Sequence, residues 1–209
     1  MQQLAPDNHE IIIVNDGSTD SSHEVIIKAI ADKQNFIYKR HYQNLGIGQA
    51  LKTGYRLASK ENVCAVPGDC QFNFKELLLC PNFTEKQFIS YCRKHTYYNL
   101  YRKILTHFNR LINYLFLGLN MNDVNWIKVY KQSHLRNIEL VLNSSLVESE
   151  ICAKLFAQGV LCVEIESDYL KRLSDDSKGG ATKTVKQAAF DLFKLIKVVQ
   201  THKKQLKSK

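Results

Sequence analysis

Residues 9–22 read HEIIIVNDGSTDSS. The run His9 to Val14 is short, apolar and rich in β-branched residues, which predicts a buried strand. Asn15, Asp16, Gly17 and Ser18 follow at once and are turn residues. Ser21 and Glu24 stand at capping-box spacing, ahead of an apolar face at Val25, Ile26, Ile27 and Ile30 that predicts a helix. Strand, turn and helix together make the first half of a β-α-β unit.

The pattern continues outward from there. Asn35 to Arg40 predicts a second strand, Asn44 to Gly48 a glycine-bearing loop, and the following residues a helix to about Ser59. Val63 to Val66 predicts a third strand, ended by Pro67 and Gly68. Strands alternating with helices imply an α/β fold, with a mostly parallel central sheet flanked by helices. Ligands of such sheets bind beyond the carboxyl ends of the strands, where Asp16 and Asp69 stand. Further on, Gln87 to Tyr91, Trp126 to Tyr130 and Val160 to Ile165 predict strands. Tyr97 to Leu119 reads as helical, aromatic and basic. Leu146 to Gln158 predicts a helix closed by Gly159, and Asp168 to Gly180 a polar loop. The last helix, Thr182 to Gln200, gathers Ala188, Ala189, Leu192, Phe193, Leu195, Ile196 and Val199 on one face. The chain thus divides into a main domain, 1–180, and a basic amphipathic helix with its tail, 181–209.

Composition bounds what such a chain can be. Its 209 residues are 44% apolar and 23% charged, with nine glycines and three prolines, which excludes disordered, collagen-like and coiled-coil chains. A chain of this length buries roughly 70% of its unfolded surface. No apolar run reaches membrane-spanning length, and the first ten residues lack the basic and apolar regions of a signal peptide. The expected location is therefore the cytoplasm, including the inner membrane surface. The six cysteines are then expected to be reduced thiols; none are in CxxC spacing, so a zinc site is not expected. The net charge of +9 is concentrated in two zones. Tyr91 to Arg136 holds eight Lys/Arg against Asp123 alone, and Ala181 to Lys209 holds eight Lys against Asp191 alone. Such zones suit a polyanionic partner, or form a solvated basic face with no partner.

Two constellations carry chemistry. Asp16 and Asp69 each follow a buried strand beside a glycine, where a carboxylate binds a ribose or base, or holds a divalent cation on phosphates. Either one alone is equally explained as an Asx turn closing a strand. Arg93, Arg102 and Arg172 offer rigid forks that match phosphate oxygens, though a surface arginine is the ordinary reading of any one of them. His95 and His107 lie in the same basic region and read as surface or packed histidines. There is no P-loop and no nucleophile elbow, and Gly46 with Gly48 lacks the third glycine of a dinucleotide site.

In order along the chain, several stretches resemble family 2 inverting glycosyltransferases of the GT-A (nucleotide-diphospho-sugar transferase) fold. EIIIVNDGSTDSS resembles that family's early nucleotide-binding segment, and NLGIGQALKTGYRLAS its next segment. PGDCQFNFKEL resembles its Asp-x-Asp region, with Pro67 where the first Asp often lies. Residues 91–131, VESEICAKLFAQG and SDYLKRLSDDSKGG are similar, in the same order, to segments of its polyprenyl-phosphate branch, which includes dolichol-phosphate mannosyltransferase. The resemblance covers roughly Glu10 to Gly180. It implies that Asp16, Gly17, Ser18, Asn44, Gly46, Asp69, Gln71 and Arg102 bind the nucleotide sugar, with Asp16 on the nucleoside and Gln71 supporting the site. It further implies that Asp69 holds Mg²⁺ or Mn²⁺ on the diphosphate. Asp69, Arg93, Arg172 and Asp123 are then the catalytic set, the arginines holding the donor diphosphate or the acceptor phosphate. Glu150 matches a further acidic position. Nine residues precede Glu10, where the family carries another strand and a Pro-x-Tyr-Asn-Glu loop, so that strand is expected to be missing here.

The expected function is transfer of a sugar from a nucleotide-diphosphate donor to a polyprenyl phosphate or other cell-envelope acceptor, with inversion and metal assistance. The acceptor phosphate is already anionic and needs little help from a general base. The last helix either lies peripherally on an anionic membrane or docks on the core. The alternative function is an N-terminally truncated, non-catalytic GT-A domain that only binds. Nucleic acid is not an expected partner, because no motif for it is present. Nothing in the sequence sets an oligomeric state.

Overall fold

A computed structural model describes residues 8–94, 100–170 and 182–208, with the side chains of 100–103, 105, 109 and 182–189 outside the described set. In chain order the elements are β1 (Ile11–Asn15), α1 (Ser22–Ile30), β2 (Phe36–Arg40), α2 (Ile47–Leu57), β3 (Asn62–Cys64), α3 (Lys75–Leu78) and β4 (Gln87–Arg93). They continue with α4 (Leu100–Ile112), a π-helical turn (Asn113–Leu117), β5 (Lys128–Lys131), α5 (Gln132–Arg136), α6 (Val147–Ala157), β6 (Leu161–Ser167) and α7 (Thr182–Lys207). The short helices α3 and α5 carry no apolar periodicity, and the sequence pattern does not predict them.

The α/β class holds, but the single mostly parallel sheet does not. The strands form two sheets. β1 and β2 pair in parallel by themselves, and a second sheet has the order β3-β5-β4-β6. In that sheet β5 is antiparallel to both β3 and β4, and only β4 and β6 are parallel. The reason lies in the connection between β4 and β5. It leaves β4 at Arg93 and returns to Lys128 on the same edge of the molecule, opposite Ser90, so β5 must run backwards.

Alternation along β4 sends Phe88 into one core and Ile89 and Tyr91 into another, on the opposite face. The larger core joins Phe88 and Tyr130 to Ile151, Leu155 and Leu142 and to Leu195 and Val199 of α7. The last helix is therefore docked through those two residues, while Phe190 and Phe193 on its other side are 72% and 71% exposed. The smaller core packs Phe72, Tyr91, Trp126 and Ile127 beneath the loop that follows β3.

Local signals differ from their expectations at two points. The Ser21 side chain caps nothing, and the capping box does not form. Instead the Asp20 carboxylate accepts the Ser22 N–H at 3.0 Å. Ile11 to Val14 are only partly buried rather than fully buried, because among the described residues β1 has one strand neighbour instead of two.

Candidate active site at the strand ends

β3, β4 and β6 deliver their carboxyl ends to one edge of the second sheet, and antiparallel β5 delivers its amino end there. The residues just beyond these ends are Asp69 and Gln71, Arg93, Asp168 and Tyr169, and Asp123 to Trp126.

Arg93 is the centre of this cluster. Its Nε donates to Asp123 Oδ2 at 2.6 Å and its Nη2 to Asp123 Oδ1 at 2.8 Å. The guanidinium lies 5.0 Å from the Trp126 ring centre and 5.5 Å from that of Tyr169. A planar cation gripped by a bidentate carboxylate and flanked by two rings is held in one orientation. Gln71 is buried and ties the β3 side to this group: its Nε2 donates to the Tyr169 hydroxyl at 2.7 Å. Two residues earlier, Asp69 accepts the Gln71 backbone N–H at 3.2 Å. Asp69 and Arg93 are therefore connected through Gln71 and Tyr169.

Two groups beneath the cluster fix the loop before β5. Lys128 has no exposed side-chain surface. Its ammonium donates to the carbonyls of Val124 at 2.5 Å and Trp126 at 3.0 Å and lies 3.8 Å from Glu148. Glu148 in turn accepts the hydroxyls of Tyr55 at 2.6 Å and Tyr130 at 2.8 Å. Burial pushes both phenols well above their ordinary range, so they stay protonated and keep donating. Neither Lys128 nor Glu148 stands in a motif that marks it in the sequence. A lysine between Ile127 and Val129 in a strand-forming run was the available signal.

The Asp16 group stands at the ends of β1 and β2. Asp16 Oδ1 bonds His41 Nδ1 at 2.7 Å and accepts the Leu45 N–H at 3.0 Å, while Oδ2 accepts the Gly46 N–H at 2.8 Å. The structure thus gives Asp16 the work of closing the Asn44–Gly46 loop over the turn. Asn44 takes part by accepting the same Gly46 N–H at 3.1 Å. Asn15 Oδ1 accepts the Ser18 N–H at 2.8 Å and fixes the turn itself. Gly17 has φ +70°, and a Cβ there would lie 2.3 Å from the Gln43 carbonyl carbon, so only glycine fits. Glu150 is fully buried and accepts the N–H groups of Val141 and Leu142 and the ammonium of Lys154, which makes it a brace for the loop before α6. Arg172, His95 and the Arg102 side chain lie outside the described residues, and His107 is exposed on α4.

One cavity of about 1790 Å³ is lined by Arg93, Asp123, Trp126, Lys128 and Glu148 of these groups. Its wall includes Val14 and Leu51 at the β1 end, Pro67 and Gly68 after β3, and Arg93 and Asp123 at the far end.

This arrangement can be set beside known proteins. The sequence profile of "Glycosyl transferase family 2" matches residues 1–138. The chain belongs to glycosyl transferase family 2. No curated protein sequence matches it. Among solved structures, this family 2 chain is similar to glucosyl-3-phosphoglycerate synthase from Mycobacterium tuberculosis. With the form in complex with uridine diphosphate it shares 14% identity and a TM-score of 0.61, covering 88% of this chain and 68% of that one. With the phosphoglyceric acid complex it shares 13% identity and a TM-score of 0.58, covering 92% and 68%. A further structure, described only as a mycobacterial protein, gives 13% and 0.57, covering 90% and 64%. These likenesses establish the GT-A fold.

Proposed function

We propose that this family 2 glycosyltransferase moves a sugar from a nucleotide-diphosphate donor to a polyprenyl phosphate, with inversion, at the cytoplasmic surface of a membrane. The observation that carries the reading is the fixed Arg93 guanidinium, which lines one large cavity and is linked through Tyr169 and Gln71 to Asp69. Negative charge grows on the leaving diphosphate during transfer, and a preoriented cation stabilises it without reorganising. A solved neighbour in complex with uridine diphosphate supports a nucleotide-linked donor.

A divalent cation fits this chemistry. Among the described residues no three His, Cys, Asp or Glu side chains converge. Mg²⁺ or Mn²⁺ is commonly held by one or two carboxylates with substrate phosphates completing the shell. Asp69 is the residue that would hold it, and the metal would neutralise the diphosphate. Asp16 and its loop would face the nucleoside, and Arg102 and Arg172 would add charge for the phosphates.

The membrane part of the reading rests on exposed apolar residues beside basic ones. Ile104, Phe108 and Leu111 of α4 are exposed, as are Tyr114, Leu115 and Phe116 of the turn and Phe190 and Phe193 of α7. Among the described residues no helix is long and apolar enough to cross a membrane. Residues 1–180 would form the transferase unit and 181–209 its membrane-facing helix.

A second reading, a non-catalytic GT-A domain, is favoured by one observation: β1 and β2 are separated from the remaining sheet. The test is a transfer assay with labelled UDP- and GDP-sugars, Mn²⁺ and a polyprenyl phosphate. Label is expected in the organic extract, reduced about 100-fold by Arg93→Ala. Label that stays in water although the folded chain binds donor would overturn the acceptor, and no donor binding at all would leave the non-catalytic reading.

A further inference from the structure

One imidazole ties three elements together at the end of β2. His41 follows Arg40, the last residue of β2, and only 8% of its side chain is exposed. Its backbone N–H donates to the Asn15 carbonyl of β1 at 2.9 Å. Its Nδ1 lies 2.7 Å from Asp16 Oδ1, and its Nε2 lies 2.9 Å from the Thr53 hydroxyl of α2. A carboxylate only accepts, so Nδ1 carries a proton and donates to Asp16. In the neutral ring Nε2 then accepts the Thr53 hydroxyl. With both nitrogens partnered, the ring has one tautomer and one orientation.

The group so held is the Asp16 carboxylate. Oδ1 receives His41 and the Leu45 N–H, and Oδ2 receives the Gly46 N–H. A carboxylate offers about four acceptor positions. Among the described residues, one position on Oδ2 therefore has no donor, and the side chain is 19% exposed. Ile47, the residue after Gly46, lines the large cavity.

We infer that His41 is a positioning residue: it fixes the Asp16 carboxylate, and through it the Asn44–Gly46 loop, for contact with the nucleoside of the donor. This rests on the reading that Asp16 and its loop face the nucleoside. Two observations support a positioning role. The other partners of Asp16 are N–H groups of the loop itself, which move with it, so His41 is the anchor from outside the loop. The same strand also braces the turn beside Asp16. The Tyr38 hydroxyl accepts Asn15 Nδ2–H at 3.1 Å, and Arg40 Nη2 donates to the Ser18 carbonyl at 3.2 Å. A group that must meet a ligand in one geometry needs such support from its surroundings.

The test compares the full chain with His41→Leu and His41→Asn. Leucine fills the space without a donor. The asparagine amide N–H stands near the place of Nδ1–H and can still donate to Asp16. Two readouts are taken: calorimetric binding of UDP and of GDP with Mn²⁺, and hydrogen exchange of the Leu45 and Gly46 amides without nucleotide. His41→Leu is expected to weaken binding of the preferred nucleotide at least about tenfold, the scale of one hydrogen bond to a charged group. Its loop amides are expected to exchange at least about tenfold faster. His41→Asn is expected to restore both. If His41→Leu does not fold, His41→Gln replaces it, because its amide reaches toward Thr53 and not Asp16. Unchanged binding by a folded His41→Leu would overturn the inference. Equal weakening in the leucine and asparagine variants would also overturn it, leaving His41 a packing residue. If no chain binds UDP or GDP, the nucleotide reading of the site fails, and exchange alone decides the anchoring: loss in leucine with rescue by asparagine upholds it, and equal exchange in all three chains overturns it.

Discussion

Glu10 bridges two elements with a single carboxylate. Its Oε1 accepts the Ser59 N–H at 2.5 Å and the Lys60 N–H at 3.2 Å, and its Oε2 accepts the Ser59 hydroxyl at 2.8 Å. These bonds tie the start of β1 to the end of α2. Burial raises the carboxyl, but the Ser59 and Lys60 bonds and the Lys60 charge together outweigh it and hold it below its usual value of 4.5. A depressed folded value means that the stabilisation is present above the ordinary carboxylate range and is lost as pH falls through the folded value. Denaturant titrations of the chain and of Glu10→Gln should therefore differ at pH 7, by at most about 1 kcal/mol because the group is largely exposed to solvent, and converge once pH has fallen through the depressed folded value. An equal difference above and below that value would contradict this. Other residues show what sequence leaves legible at this scale. Asp69, Gln71, Arg93 and Asp123 were readable because motif order marked them, and the structure links them. Gly48 was read as half of an incomplete dinucleotide motif, yet its place is set by packing: a Cβ would lie 2.3 Å from the Asn143 carbonyl carbon. That contact spans 95 residues of sequence, which no local pattern reveals. Lys128 was hidden for the same reason, since its partners are mostly carbonyls of a loop.

Strands and long helices were legible because each has one dominant period. β1, β2, β4, β6, α2 and α6 lie close to their expected ranges, and α7 starts at Thr182 as expected but runs past Gln200 to Lys207. Pairing direction was not legible, because it depends on where the 94–127 connection returns. The last helix divides its apolar face between two tasks. Leu195 and Val199 are buried in the core, while Phe190 and Phe193 face outward with Lys194 and Lys197 on the same helix. If the outward pair enters a lipid surface, each phenylalanine contributes about 1.5–3 kcal/mol on burial. Phe190→Ser with Phe193→Ser should then weaken cosedimentation with phosphatidylserine vesicles by at least about 100-fold. The melting temperature should change little, because exposed positions rarely cost more than about 0.5 kcal/mol. Unchanged vesicle binding would remove α7 from the membrane account.

At the scale of the whole molecule, the α/β class follows from alternating elements and the GT-A fold from motif order. The division into two sheets follows from what stands beside β1. A strand of apolar, β-branched residues reads as buried, and a single chain's pattern says nothing about whether its second neighbour is present. The cavity bordered by β1 and β3 extends to Arg93 and Asp123. The most direct measurement is calorimetric binding of UDP- and GDP-sugars with and without Mn²⁺, on this chain and on Asp69→Ala. The account predicts metal-dependent binding of one donor that the variant loses, with its fold intact by circular dichroism. Equal binding by chain and variant, or binding indifferent to Mn²⁺, would contradict the assignment of Asp69 and the metal-assisted chemistry built on it.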